Sequence, residues 1–242
     1  GTGSDWEARA VGLLSAADAE KVGRLFQDMP RSVTLRLYTQ RLNCEGCLDT
    51  ERILDELAGL SDKVKLEKLN ALTDTDRREA DAVEFVPAFI VSGANDRVRF
   101  YGTPSGYEFS TLLTLITDAG AGIAAAGPDV DALVSALNRD LRIRVFVTPT
   151  CPHCPRAAVA AARLAAASPG IRAEIVEAEE FPALSMRYSV QGVPRTVVED
   201  RLFFEGAVPE TVFAKALTAA LPFLSEPGAE VRDLLSFLEP DA

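Results

Sequence analysis

The sequence predicts an α/β protein assembled from two tandem copies of one unit. Three observations carry this. The four cysteines fall into two C-x-x-C pairs, Cys44/Cys47 and Cys151/Cys154. Cys44 stands 43 positions before Pro87, Cys151 stands 43 positions before Pro194, and a valine, Val86 or Val193, precedes each proline. After each proline comes an apolar run, a turn, a second run and a glycine: Arg99-Phe100-Tyr101-Gly102 in the first copy, Phe203-Phe204-Glu205-Gly206 in the second. Two units offset by 107 residues read as a duplicated fold, not as an extended repeat array.

The elements follow in order. Val22, Leu25, Phe26 and Met29 lie at helical spacing, with Ser15 and Asp18 as a capping box. Val33, Leu35 and Leu37 alternate like a strand. A helix is expected to start near Cys44, burying Ile53, Leu54, Leu57 and Leu60. A strand over 63–69, a polar helix over 74–84, strands near 88–92 and 97–101, and a helix from about 106 to 118 complete the unit. The second copy repeats this order. A helix carries Val130, Leu133, Val134, Leu137 and Leu141, and the strand Ile143 to Val147 runs toward Cys151. An alanine-rich helix to about Ala167, a strand over about 171–177, a short helix before Val193, a strand pair and a helix over 209–221 follow. Residues 226–239 are expected to add a C-terminal helix. The small residues Ala119-Gly120-Ala121-Gly122 and the breaker Gly127-Pro128 mark the joint, giving units 1–125 and 126–242.

Composition narrows the function. The chain is 48% hydrophobic and 25% charged, the balance of a soluble globular protein, and no run approaches 18 consecutive apolar residues, so no membrane span is expected. Residues 1–125 hold 14 Lys+Arg against 20 Asp+Glu, and the remainder 11 against 16. Neither half offers a basic face, which argues against nucleic acid as a partner. The first 30 residues, with Asp5, Glu7, Asp18, Glu20 and Asp28, lack a basic segment followed by an apolar one, so no secretory signal is expected and the location expected is cytoplasmic. The opening Gly-Thr-Gly-Ser reads as an expression scar, which would put a native start outside the sequence.

The cysteine pairs carry the chemistry. Disulfide exchange needs a thiolate, and free cysteine is mostly protonated at neutral pH. A helix N-terminus presents unpaired N–H groups and about half a positive charge, which would stabilise a Cys151 thiolate. Pro152 suits a first helical position, and Cys154 sits one turn on, placed to attack a mixed disulfide at Cys151. His153 is the chain's single histidine, which removes multi-histidine metal sites and any triad elsewhere. Protonated, it would favour the thiolate and make the pair more oxidising; the alternative is an exposed loop histidine. In Cys44-Glu45-Gly46-Cys47 the carboxylate of Glu45 opposes a thiolate and Gly46 weakens the helix, so this pair is either a second dithiol or a structural disulfide. Pro87 and Pro194 are expected in cis, facing the cysteines. A Cys₄ zinc site would separate its pairs by about 15–20 residues; here 103 intervene, and no metal is expected. No G-x-G-x-x-G or Walker loop is present, and no cofactor is expected.

Val145-Phe146-Val147-Thr148-Pro149-Thr150-Cys151-Pro152-His153-Cys154-Pro155 resembles the active-site strand and turn of two-domain, glutaredoxin-like protein disulfide oxidoreductases. The resemblance extends to Phe100-Tyr101-Gly102-Thr103-Pro104-Ser105-Gly106-Tyr107-Glu108-Phe109, to Val176-Glu177-Ala178 and to Phe204-Glu205-Gly206-Ala207-Val208-Pro209-Glu210. It covers roughly residues 12–222. It implies two tandem thioredoxin-like units, each a central mixed β-sheet flanked by helices, with a C-x-x-C and a cis-proline apiece. It also implies reductase, oxidase or isomerase activity on protein disulfides. Family members commonly carry an aromatic residue at the position of His153. Thioredoxins carry a buried aspartate six residues before the first cysteine, where Val145 and Tyr38 stand here. Glu177 is then either the buried carboxylate that exchanges a proton with Cys154 or a surface strand glutamate.

The expected function is disulfide exchange with protein substrates. Cys151 forms the mixed disulfide and Cys154 resolves it. Val193 with Pro194, and Val86 with Pro87, hold the substrate backbone as an added strand. Cys44/Cys47 acts as a second dithiol. The expected partners are protein thiols and disulfides and a reductase or oxidant that the sequence does not identify. Two alternatives are an electron relay for a peroxide-reducing partner, because tandem thioredoxin folds occur in the N-terminal region of alkyl hydroperoxide reductase flavoproteins, and a non-catalytic peptide-binding chaperone.

Overall fold

A computed structural model describes residues 13–93, 96–122, 126–135, 137 and 139–238. The first unit runs α1 (Ala16–Gln27), β1 (Val33–Thr39), α2 (Cys47–Ala58), β2 (Val64–Asn70), α3 (Thr75–Ala80), β3 (Ala88–Ser92), β4 (Val98–Tyr101) and α4 (Glu108–Ala121). The second repeats it: α5 (Pro128–Ser135), β5 (Leu141–Val147), α6 (Cys154–Ala167), β6 (Ile171–Glu177), α7 (Pro182–Arg187), β7 (Arg195–Val198), β8 (Leu202–Glu205) and α8 (Glu210–Ala219). A short α9 (Leu221–Ser225), a two-residue β9 (Arg232–Asp233) and a 3₁₀ turn (Leu234–Leu238) follow.

The units share their strand order. β1 pairs parallel with β2 and antiparallel with β3, and β3 antiparallel with β4. β5 relates to β6, β7 and β8 in the same way. Matching backbone bonds recur: Gly102 N–H to the Pro87 carbonyl and Gly206 N–H to the Pro194 carbonyl, each 2.9 Å. The two half-sheets fuse, because β4 pairs parallel with β6, Val98 opposite Ala173. Among the described residues the result is one sheet of nine strands, in the order β2-β1-β3-β4-β6-β5-β7-β8-β9.

Burial follows the alternation. Val33, Leu35, Leu37, Ile143, Val145 and Val147 point to the face covered by α2, α4 and α6. Tyr38, Ile90, Tyr101, Phe146, Val176 and Tyr188 form a second core on the other face. Each such side chain, fully buried, contributes roughly 1.5–3 kcal/mol. Both cores draw residues from both units. Ion pairs also cross the junction: Arg144 of β5, paired within its own unit with Glu174 at 2.6 Å, reaches Glu84 of the first unit at 2.6 Å, and Arg163 of α6 reaches Asp118 of α4 at 2.9 Å. Burial opposes the Arg144 charge, but those carboxylates outweigh it and hold its pKa above the ordinary value. Removing one partner from such a buried pair is expected to cost about 3–5 kcal/mol.

Several sequence expectations need correction. α2 and α6 begin at the second cysteine of each pair, not the first. Pro155, not Pro152, occupies the first turn of α6. Leu25 is 48% exposed, since Val22 and Phe26 already supply the buried stripe of α1, and Met29 is buried just beyond the helix. The polar helix of 74–84 shortens to Thr75–Ala80. Leu141 lies in β5, not on the preceding helix, because its pairing with Ile171 carries the strand back to that position. The helix expected over 226–239 shrinks, in its described part, to a 3₁₀ turn over Leu234–Leu238: Pro227-Gly228 interrupt it, and Arg232–Asp233 pair with β8 instead. Residue 239, residues 1–12 with the opening Gly-Thr-Gly-Ser, and 123–125 within the expected joint lie outside the described residues.

Candidate functional site

Each C-x-x-C sits where a central parallel strand ends and a helix begins. Cys44 joins Cys47, and Cys151 joins Cys154, as disulfides with Cα atoms 5.4 Å apart. The Val86–Pro87 and Val193–Pro194 peptides are both cis. The duplicated spacing therefore corresponds to duplicated geometry.

In the second site Cys151 is 8% exposed and Cys154 fully buried, so Cys151 is the reachable sulfur. The Cys154 N–H, at the head of α6, lies 3.1 Å from Cys151 Sγ. This places a helix-start N–H donor three residues on from Cys151, where it would face the sulfur of a reduced Cys151. Cys151 Sγ also lies 3.7 Å from the Val193 carbonyl oxygen, to which a reduced thiol would donate. Pro194 is buried and Val193 partly so. His153 is exposed and its side chain does not cap α6.

Two carboxylates are buried beside this site. Glu177 ends β6 and is 2% exposed, so it is not a surface glutamate. Burial raises its pKa, against two backbone donors, Glu180 N–H at 2.7 Å and Glu179 N–H at 3.2 Å. The other is Glu108, to which sequence reasoning assigned no role. It is fully buried, and neither of its oxygens makes a hydrogen bond among the described residues. Burial pushes its pKa up to about 7, and the charge of Glu177 adds to it.

The first unit supplies Glu108 to the second unit's site. Gly106 has φ +58°, and a Cβ there would overlap Pro149, so only glycine lets this turn approach the loop before Cys151. The Tyr107 N–H donates to the Pro149 carbonyl at 2.9 Å. Farther along, Arg163 of α6 pairs with Asp118 of α4. The helices thus run side by side in the same sense, which puts Glu108 at the head of α4 and Cys154 at the head of α6 at the same end of the pair. The available signal was an acidic residue in the first turn of a helix otherwise written for burial.

The first site is more open. Cys44 is partly exposed, Glu45 exposed and Cys47 buried. Cys44, Glu45, Val86 and Pro87 line a cleft of about 600 Å³, together with Glu180 and Phe181 from the second unit. Among the described residues no group of three or more His, Cys, Asp or Glu is arranged to hold a metal ion. Nor is any described helix long and apolar enough to cross a membrane.

Tandem thioredoxin-like units, each with its own C-x-x-C disulfide, make this chain a two-domain protein of the thioredoxin superfamily. Residues 141–219 match the thioredoxin domain family. The chain is similar to a protein disulfide oxidoreductase from Aeropyrum pernix, with TM-score 0.79, 25% identity, and coverage of 86% of this chain and 94% of that one. It is similar to nearly the same degree to the alkylhydroperoxide reductase protein AhpF from Enterococcus faecalis, with TM-score 0.77, 25% identity, and coverage of 84% of this chain and 99% of that one. In sequence it is 25% identical over 175 residues to the corresponding alkyl hydroperoxide reductase protein of Escherichia coli, covering 71% of this chain. The chain spans about a third of that relative's length.

Proposed function

We propose that the chain is a protein dithiol–disulfide oxidoreductase whose main site is Cys151/Cys154. The observation that carries this is the placement of Cys151 Sγ between the α6 head and the Val193 carbonyl, beside Pro194. In the reducing direction the Cys151 thiolate attacks a substrate disulfide and forms a mixed disulfide, releasing one substrate thiolate. Cys154 then attacks Cys151 sulfur, releases the second thiolate and restores the internal disulfide. For that step Cys154 must lose its proton, and Glu108, buried at the same end of the helix pair with its pKa pushed up to about 7, accepts it. Burial, helped by the charge of Glu177, keeps Glu108 partly protonated, and Glu177, itself buried, is the second carboxylate proposed to exchange a proton with Cys154. Val193/Pro194 and Val86/Pro87 present backbone to an extended substrate. Cys44/Cys47 serves as a second dithiol. The units divide at 125/126, and the protein works in the cytoplasm with protein thiols and a reductase or oxidant as partners.

Insulin reduction tests the assignment. Replacing Cys151 and Cys154 by serine should remove most activity, whereas replacing Cys44 and Cys47 should leave a large part. Equal losses would mean an obligatory relay through both sites and would overturn the division of labour.

A second reading, electron relay to a peroxide-reducing partner, is favoured by the likeness to the alkylhydroperoxide reductase protein AhpF, which extends over 99% of that chain. Transfer of electrons from the reduced chain to a peroxidase dithiol, measured against transfer to insulin, separates the two.

A further inference from the structure

The cleft at the first disulfide is built by both units. Glu180 and Phe181, from the loop between β6 and α7, form the wall opposite Cys44, Glu45 and Val86. That loop is clamped. Glu180 Oε1 accepts the Thr103 N–H at 2.6 Å, and the Glu180 N–H is held by Glu177. The Phe181 ring packs against Phe85 at 5.6 Å and Tyr101 at 6.4 Å. The other Glu180 oxygen lies against Gly46, where any Cβ would overlap it. Gly46 is therefore a fit to a carboxylate from the other unit and not merely a weak helix residue.

The cleft's chemistry is lopsided. It holds two carboxylates, Glu45 and Glu180, and one cation, Arg41, whose guanidinium lies 3.8 Å from Glu51 outside the cleft. Two exposed leucines, Leu42 at 72% and Leu48 at 46%, flank the cysteine pair. An extended polypeptide with apolar and basic side chains around a cystine is complementary to this surface; an acidic one is repelled.

We propose that the first dithiol is a two-unit binding site for extended cystine-containing peptide segments with a cationic residue beside the half-cystine, and that Glu180 selects them. This rests on the thiol–disulfide reading above. With the pair reduced beforehand by a small dithiol, Cys44 thiolate attacks the peptide disulfide, that S–S bond breaks, and one peptide thiolate leaves and takes up a proton. Cys47 thiolate then attacks Cys44 sulfur, the second peptide thiolate leaves, and two electrons have passed from the dithiol to the peptide.

The test uses the full chain with Cys151 and Cys154 replaced by serine, reduced with dithiothreitol and freed of it. It is mixed with a disulfide-linked peptide carrying lysine beside each half-cystine, and with its glutamate counterpart. The lysine peptide is expected to react about tenfold faster at low salt, and Glu180→Gln to cut that ratio to about threefold, in keeping with rim-charge effects on association. Raising the salt should collapse the ratio in the chain that retains Glu180, a readout that needs no cleft substitution. A ratio untouched by Glu180→Gln or by salt overturns the proposal, as does an equal change in both rates, which would mark an effect on thiol reactivity alone. If this chain reduces neither peptide while the unsubstituted chain reduces both, the proposal falls and the assignment of Cys151/Cys154 stands. If the unsubstituted chain also reduces neither, that assignment falls with it.

Discussion

Thr39 and Val147 end equivalent strands, yet the residues beside them differ: Asn70 pairs with Thr39, Glu177 with Val147. Asn70 is exposed and Glu177 buried. The same repeat thus gives one C-x-x-C a buried carboxylate behind it and the other a polar surface residue. The units then trade side chains across their junction. The first brings the turn before buried Glu108 against the Pro149 loop of the second site, and the second sends Glu180 into the first site's cleft. A duplicated fold sets where cysteines, helix heads and prolines go. The chemistry around them is decided by what the neighbouring unit brings.

Glu108 is where this contrast between the sites should show most strongly. If it takes the Cys154 proton, Glu108→Gln should slow insulin reduction by about a hundredfold, at the lower end of general acid–base contributions, and abolish a rise in rate centred near pH 7. Reduction by the Cys44/Cys47 pair alone, measured with Cys151 and Cys154 as serine, should be unchanged by it. A rate profile that keeps its inflection in Glu108→Gln would clear this residue of the role.

The same carboxyl has an opposite signature in stability. Its folded pKa, about 7, lies above its ordinary 4.5, so the native state binds the proton more tightly than the unfolded chain. Stability from this group is fully present below pH 4.5, falls as pH rises toward 7, and stays low above it. Urea unfolding at pH 8 should therefore show Glu108→Gln more stable than the parent by about 1–3 kcal/mol, with the difference vanishing by about pH 4.5. A destabilised variant at pH 8 would mean that the carboxylate has a partner.

His153 should matter least. Its exposure limits its influence on Cys151 to screened, through-solvent terms. His153→Tyr should make the Cys151/Cys154 potential more negative by roughly 10–30 mV, read by equilibration in glutathione buffers with Cys44 and Cys47 as serine. A shift above that range would mean a direct contact in the reduced protein; none at all would make the histidine a bystander.

Much of this was legible in the chain. Equal cysteine-to-proline intervals announced the duplication, and alternation at Val33, Leu35 and Leu37 set the first strand and its buried face. Local signals worked because they are local: the Ser15 hydroxyl accepts the Asp18 N–H at 3.1 Å as the capping pattern implied. Pairing between β4 and β6 was not legible, since both strands are apolar enough to be central whether or not they meet. Glu108 was missed for a related reason. A carboxylate in the first turn of a helix is ordinary on a surface, and only the approach of the Pro149 loop makes that turn an interior. The shortened C-terminal helix reverses the lesson: its periodicity was plausible, but an open strand edge took Arg232 and Asp233 and left only the 3₁₀ turn Leu234–Leu238.

That edge gives β9 its meaning. The β4–β6 contact is head-to-tail: the outer strand of one unit receives the parallel outer strand of the next. Such a junction does not close on itself, and nothing in its geometry stops after two. β8 is the equivalent of β4 and offers the same invitation, while β2, the equivalent of β6, lies at the far end of the sheet. Arg232–Asp233 lie parallel on Leu202–Phe203, where a third unit's strand would dock, and Arg232 N–H takes the Arg201 carbonyl at 2.9 Å. Two residues of chain thus cover the β8 edge at the position where, by analogy with β4 and β6, a further parallel strand would pair.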